Sequence, residues 1–149
     1  MINQYLYLVD DDYRKDPQVC ALFKEIMSEY SNLGLTLFAM HEVHFFDRFI
    51  PEFRKLRNRI QHNAYHVYTV DTHSIFALND LSRLLSDEEH AQKFSIYKEA
   101  MLAVKRPDLL TLGLLFHDIG KGEGGNHSVI GAEIANRITA RLGLSLIHI

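Results

Sequence analysis

The sequence predicts an all-α fold, and three observations predict it. Apolar residues return at intervals of three and four along almost every segment, the spacing that lines one face of a helix. All three prolines, Pro17, Pro51 and Pro107, stand where such a stripe begins, as suits a residue with a preset φ and no N–H to leave unpaired. No internal repeat, low-complexity stretch or obvious linker interrupts the 149 residues, a length that can bury a core of its own.

The elements follow in order. Asp16 offers an N-cap and Pro17 a first-turn residue to a helix whose face carries Val19, Leu22, Phe23, Ile26, Met27 and Tyr30. A second helix is expected over residues 32–49. Pro51 opens a third, with Phe53, Leu56 and Ile60 on its apolar side. The stretch THSIFALNDLSRLL forms the next, and Ser86 with Glu89 reads as a capping box that ends it near Leu85 and starts its successor. Pro107 and Asp108 open LLTLGLLFHDI, apolar on nearly all sides and therefore the central buried helix, expected to end at Gly120 or Gly122. A last helix over residues 128–142 places Ile130, Ile134, Ile138 and Leu142 on one side.

Composition narrows the setting. A net charge of −3 gives no global field to draw the chain to nucleic acid or to an anionic membrane, so neither is expected as a partner and any phosphate chemistry must be local. The single cysteine, Cys20, lies in the apolar pattern PQVCALFKEIM and reads as core, which excludes an internal disulfide framework. No apolar run reaches the roughly 18 residues of a membrane span, and MINQYLYLVDDDYRK lacks the basic start of a signal peptide. A cytoplasmic location is expected. The final residues, LSLIHI at 144–149, match the translation of a transposon end sequence used in preparing sequencing libraries; they are expected to be foreign to the protein, and His148 is left out of any site.

Chemistry concentrates in LFHDIGKGEGGNH, residues 115–127. An imidazole and a carboxylate at the end of an apolar helix need partners, because an unpaired buried charge costs several kcal/mol, about the scale of a lost buried pair. A carboxylate at a helix C-terminus also opposes the macrodipole unless a cation is near. A divalent metal answers both demands, since it takes neutral imidazole nitrogen together with carboxylate oxygen. His117 and Asp118 are therefore candidate ligands, and His73, on one stripe with Ala77 and Asp80 at a helix start, can turn inward to join them. Lys121 and the glycines Gly122, Gly124 and Gly125 would suit an anionic tetrahedral phosphorus centre, with backbone N–H groups free to approach it. The spacing is not that of a phosphate-binding P-loop, and no strand precedes it. The run Arg54, Lys55, Arg57 and Arg59 reads as a solvated helix face, with steering of an anionic substrate as the other reading, and Tyr65, Tyr68, Phe76 and Phe94 read as core.

These residues resemble the HD superfamily of metal-dependent phosphohydrolases, named for a His-Asp doublet that His117 and Asp118 match, with His73 in the place of the earlier histidine. The blocks YHVYTVDTH and FHDIGKGEGGNHSVIGA look more specifically like the HD domain of the bacterial bifunctional uridylyltransferase/uridylyl-removing family of nitrogen regulation, and the likeness runs from about Met40 to Gly143. The resemblance implies an HD-domain helical bundle, incomplete at the C-terminus: residues 1–68 as a helical connector, residues 69–143 as the N-terminal part of the HD domain. It implies metal-dependent hydrolysis of the phosphodiester that joins UMP to a tyrosine of the PII signal protein. His73, His117 and Asp118 would hold the ion, Mn or Mg; Asp118 would also orient the water, Lys121 would neutralise charge on phosphorus oxygens, and His127 would bind a second metal or protonate the leaving tyrosyl oxygen. His62 and His66 would be structural or would support the ligands. The transferase signature, the glutamine-sensing domains, a later His-His pair and a closing aspartate ligand of the family have no counterpart in this sequence, so an incomplete ligand shell is expected. Two other readings are an HD phosphohydrolase acting on a free nucleotide and a non-catalytic regulatory helical module.

Overall fold

The computed structural model of the chain describes residues 2–57, 59 and 68–144. Among the described residues are nine α-helices and three 3-10 segments, and no strand. Ile60, His62, Tyr65, His66 and His148 lie outside them.

After a 3-10 segment, Ile2–Leu8, helix α1 (Asp11–Lys15) is capped by Asp10, whose Oδ1 accepts the Tyr13 N–H at 2.9 Å. Helix α2 (Pro17–Ser28) starts as the sequence predicts: Asp16 accepts from the N–H groups of Gln18 and Val19, and Cys20, Phe23 and Met27 point into the core. The expected helix over 32–49 is instead two, α3 (Leu33–Glu42) and α4 (Phe45–Phe49). They are separated at His44, which adopts a left-handed φ of 60° and whose Nδ1 lies 3.0 Å from Asp47 Oδ2. The break turns α4 so that Phe46 and Phe49 are fully buried, Phe45 stacks on Phe49, and Phe46 stacks on Phe53. Burial of each such ring is worth about 1.5–3 kcal/mol, so the two together, about 3–6 kcal/mol, outweigh the roughly 1–3 kcal/mol cost of one left-handed residue. Pro51 opens only a 3-10 segment, Pro51–Lys55, which still buries Phe53 and leaves Leu56 inside just beyond it.

Helix α5 (Val70–Ser86) is followed by α6 (Glu88–Lys93), and the cap between them is Asp87 rather than the expected Ser86. Asp87 Oδ1 accepts the His90 N–H at 3.0 Å, while the Ser86 hydroxyl donates back to the Ser82 carbonyl within α5. Helix α7 (Ser95–Leu102) leads to α8 (Pro107–Phe116), shorter than expected: after a turn at His117 and Asp118 the chain tightens into a 3-10 segment, Ile119–Gly122. Helix α9 (His127–Arg141) is capped by Asn126. Tyr68 and Phe94 are not core as expected; Tyr68 is exposed against Phe76, and Phe94 packs near the surface on His90 and Tyr97.

One hydrophobic cluster joins the two halves of the chain, from Phe23, Leu37, Phe46 and Phe49 to Leu78, Leu112, Leu115, Ile134 and Ile138. Helix α8 lies between α2 and α5. Its buried Thr111 hydroxyl donates to the Met27 carbonyl near the end of α2, satisfying a group that the helix itself leaves open. Helix α3 meets α5 at Gly34, whose N–H donates to Ser82 Oγ at 3.0 Å and where an added Cβ would sit 2.5 Å from Asn79 Cα. Among the described residues no helix is long and apolar enough to cross a membrane.

The same chemical change should therefore act oppositely at two glycines. Gly34→Ala drives a methyl into the α5 backbone and is expected to destabilise by about 1–3 kcal/mol. Gly113→Ala, in mid-α8 where an added Cβ meets nothing within 4 Å, is expected to stabilise by about 0.5–1 kcal/mol. Urea denaturation of both variants checks the pair.

Candidate metal centre

His73 sits in the first turn of α5, its N–H donating to the Thr69 carbonyl at 2.8 Å. His117 and Asp118 sit in the turn that ends α8. Because α5 packs along α8, the start of one helix meets the end of the other, and the rings of His73 and His117 lie edge to face with centroids 5.4 Å apart. One ligand atom from each of His73, His117 and Asp118 lies within 4.8 Å of the other two.

Hydrogen bonds orient the donors. The Nδ1 of His117 is 2.7 Å from the Leu114 carbonyl oxygen. A carbonyl can only accept, so Nδ1 carries the hydrogen and, in a neutral ring, Nε2 keeps its lone pair. That Nε2 faces Asp118 Oδ2 at 3.2 Å. Two lone pairs brought this close repel unless a proton or a metal ion is shared between them, and with His73 supplying a third donor the arrangement fits a divalent metal. Asp118 has only 12% of its side chain exposed, and its Oδ2 also accepts from Lys121 Nζ at 2.8 Å. His127 is exposed as the first residue of α9 and is not part of the three-residue cluster.

The glycines mostly serve packing rather than the ligand cradle their sequence suggests. An added Cβ at Gly120 would overlap the His127 carbonyl and come within 2.6 Å of Gly131 N, so the doublet's loop lies directly on the α9 backbone. Gly122 faces Lys55, Gly125 takes a left-handed φ of 97°, and only Gly124 of the three phosphate-cradle candidates looks onto open space with an ordinary φ.

The sequence profile of the HD domain matches residues 70–149, which include all three clustered residues. The chain belongs to the HD-domain family. It is 35% identical to the bifunctional uridylyltransferase/uridylyl-removing enzyme of Methylococcus capsulatus over 95% of its own length and 16% of the relative's. It is 36% identical to that of Nitrosococcus oceani over 97% of the chain and 16% of the relative, and 37% identical to that of Azospirillum brasilense over 97% and 15%. The chain thus spans about 16% of the length of the curated relatives it matches. No solved structure matches it.

Around the three clustered side chains lie groups outside the sequence motifs. Asp71, two residues before His73, is 2% exposed, and its Oδ2 lies 3.4 Å from Nε2 of the buried His41 of α3. Asp71 belongs to a stripe with Ser74, Ile75, Leu78 and Ser82, all buried, so its inward direction was available from the periodicity. The basic run is largely solvated, as expected: Arg54, Lys55 and Arg59 are exposed, although Lys55 pairs with Glu123 and Arg59 donates to the Gly122 carbonyl at 3.1 Å, and the half-buried Arg57 alone turns in, bonding to Asp47 and to the His41 carbonyl.

Burial holds the His41 imidazole below its ordinary range, with the attraction of Asp71 only partly opposing it and Arg57 adding to it. The unfolded chain therefore takes up the proton first. The contribution of neutral His41 is complete above the unfolded value of about 6.5 and is lost as pH falls from there towards the lower folded value. Stability measured by urea should decline over that acid window, and His41→Gln, which keeps a donor for Asp71, should flatten the decline. At Gly120, substitution by alanine should separate the doublet's loop from α9 and lower stability by about 1–3 kcal/mol, read from the same titration.

Proposed function

We propose that this HD domain performs metal-dependent phosphodiester hydrolysis, releasing UMP from the uridylylated PII signal protein in nitrogen regulation. The observation that carries the reading is the convergence of His73, His117 and Asp118 donor atoms within 4.8 Å, with His117 Nδ1 tied to a carbonyl so that Nε2 faces the centre. The names of the relatives supply the substrate class. Residues 69–143 act as the N-terminal part of the HD domain and residues 1–68 as its helical connector.

In this reading His73, His117 and Asp118 hold a divalent ion, Mn or Mg, and two imidazoles favour Mn because Mg prefers oxygen alone. Such an ion supplies a Lewis acid that acidifies a water and polarises phosphoryl oxygens. Asp118 orients the attacking water, whose oxygen forms the new bond to phosphorus as the phosphorus–tyrosyl oxygen bond breaks. Lys121 fixes Asp118 through its 2.8 Å bond and offsets negative charge that grows on the phosphorus oxygens. His127, outside the three-residue cluster, gives a proton to the departing tyrosyl oxygen.

Isothermal titration of the chain with Mn(II) tests the centre: binding is expected in the unaltered protein and should be lost in both His73→Ala and His117→Ala. Wild-type affinity in the two variants would remove these residues as ligands. Release of UMP from uridylylated PII tests the reaction, where Lys121→Met should lower kcat by about a hundredfold, the scale of one lost charge-stabilising donor, with a smaller effect on KM.

A further inference from the structure

The cluster is assembled from the facing ends of two helices, the start of α5 and the turn after α8, where the rings of His73 and His117 meet. Arg59 touches both. Its carbonyl oxygen accepts the Val70 N–H at 3.2 Å, at the first residue of α5 and three before His73. Its guanidinium Nη1 donates to the Gly122 carbonyl at 3.1 Å, four residues after Asp118. One residue thus grips the helix that carries the first histidine and the loop that follows the doublet.

The neighbouring residues reinforce the grip. Lys55 Nζ pairs with Glu123 Oε1, next to Gly122. At Gly122 itself an added Cβ would stand 2.9 Å from Lys55 Cβ and 3.3 Å from Leu56 Cδ2, so the two 3-10 segments approach more closely than a side chain there would allow. On the other flank Arg57 ties the same stretch to the His41 carbonyl and to Asp47. The segment from Pro51 to Arg59 is therefore anchored at both ends of the metal centre.

We infer that Arg59 is a positioning residue that sets the distance between His73 and the His117–Asp118 doublet by bonding to the start of α5 and to the loop after α8 together. The inference rests on the reading of these three residues as metal ligands, yet the spacing can be measured without a metal. A lysine could reach the Gly122 carbonyl with a single donor, whereas an alanine could not, and the backbone bond to Val70 survives either change.

The experiment uses the full chain. In metal-free protein with labelled histidines, the nuclear Overhauser contact between the His73 and His117 rings should weaken in Arg59→Ala, and exchange of the Glu123 amide, bonded to the Gly120 carbonyl, should quicken. Arg59→Lys should restore part of both. Affinity for Mn(II) should fall about tenfold in Arg59→Ala, the scale seen when a group that supports metal ligands is removed. Gly122→Ala, which pushes on the strap from the other side while keeping Arg59, should weaken Mn(II) binding to a similar degree. Retention of the ring contact and of Mn(II) affinity within about twofold in both Arg59→Ala and Gly122→Ala overturns the inference. If the unaltered chain takes up no Mn(II), the metal reading falls, and the ring contact in the metal-free variants still decides the role of Arg59.

Discussion

The bond between His117 Nδ1 and the Leu114 carbonyl decides what the rest of the centre can be. It uses a carbonyl that the last turn of α8 cannot pair within the helix, so the helix end is satisfied and the ring is aimed by one interaction. With Nδ1 committed as donor, the lone pair of Nε2 projects towards Asp118 and His73. Were the ring free to turn, the same three side chains would form an ordinary polar cluster at a helix end, satisfied by water. The carboxylate is held with equal firmness by Lys121, so neither member of the doublet has to be ordered when a ligand arrives.

Helix ends placed in this way need rigid neighbours. Helix α8 is wedged between α2 and α5 through Leu112, Leu115 and Thr111, and the loop after it rests on α9 where Gly120 and Gly131 bring backbone against backbone. Contacts of this kind have little slack, because interiors are packed as closely as organic crystals. The site consequently inherits its geometry from glycine contacts and a buried hydroxyl, none of which touches a ligand.

Much of this was legible in the sequence, for identifiable reasons. His117 and Asp118 stood out because ionisable groups interrupt an apolar run, and α2 was legible because Asp16 and Pro17 are strong local start signals. The division of α3 from α4 was not, since nothing in MHEVHFF disfavours a helix; the burial of Phe46 and Phe49 against distant residues imposes the turn at His44. Ser86 and Asp87 are adjacent and both are good caps, so only the coordinates distinguish them. The role of Arg59 lies in a carbonyl 63 residues away, a separation over which periodicity carries no information. The glycines were recognised as special, but their service to backbone packing is a tertiary fact that composition cannot express.

The shared cluster of Phe23, Phe46 and Phe49 with Leu112, Leu115 and Ile138 separates two notions of a boundary. The family profile begins at residue 70, yet a polypeptide trimmed there would bare Leu112 and Leu115 to solvent, lacking the aromatic rings that cover them. What evolution copies as a recognisable block and what folds as a cooperative unit are therefore different lengths of this chain, and the earlier residues are as much a wall of the HD half as a lead-in to it.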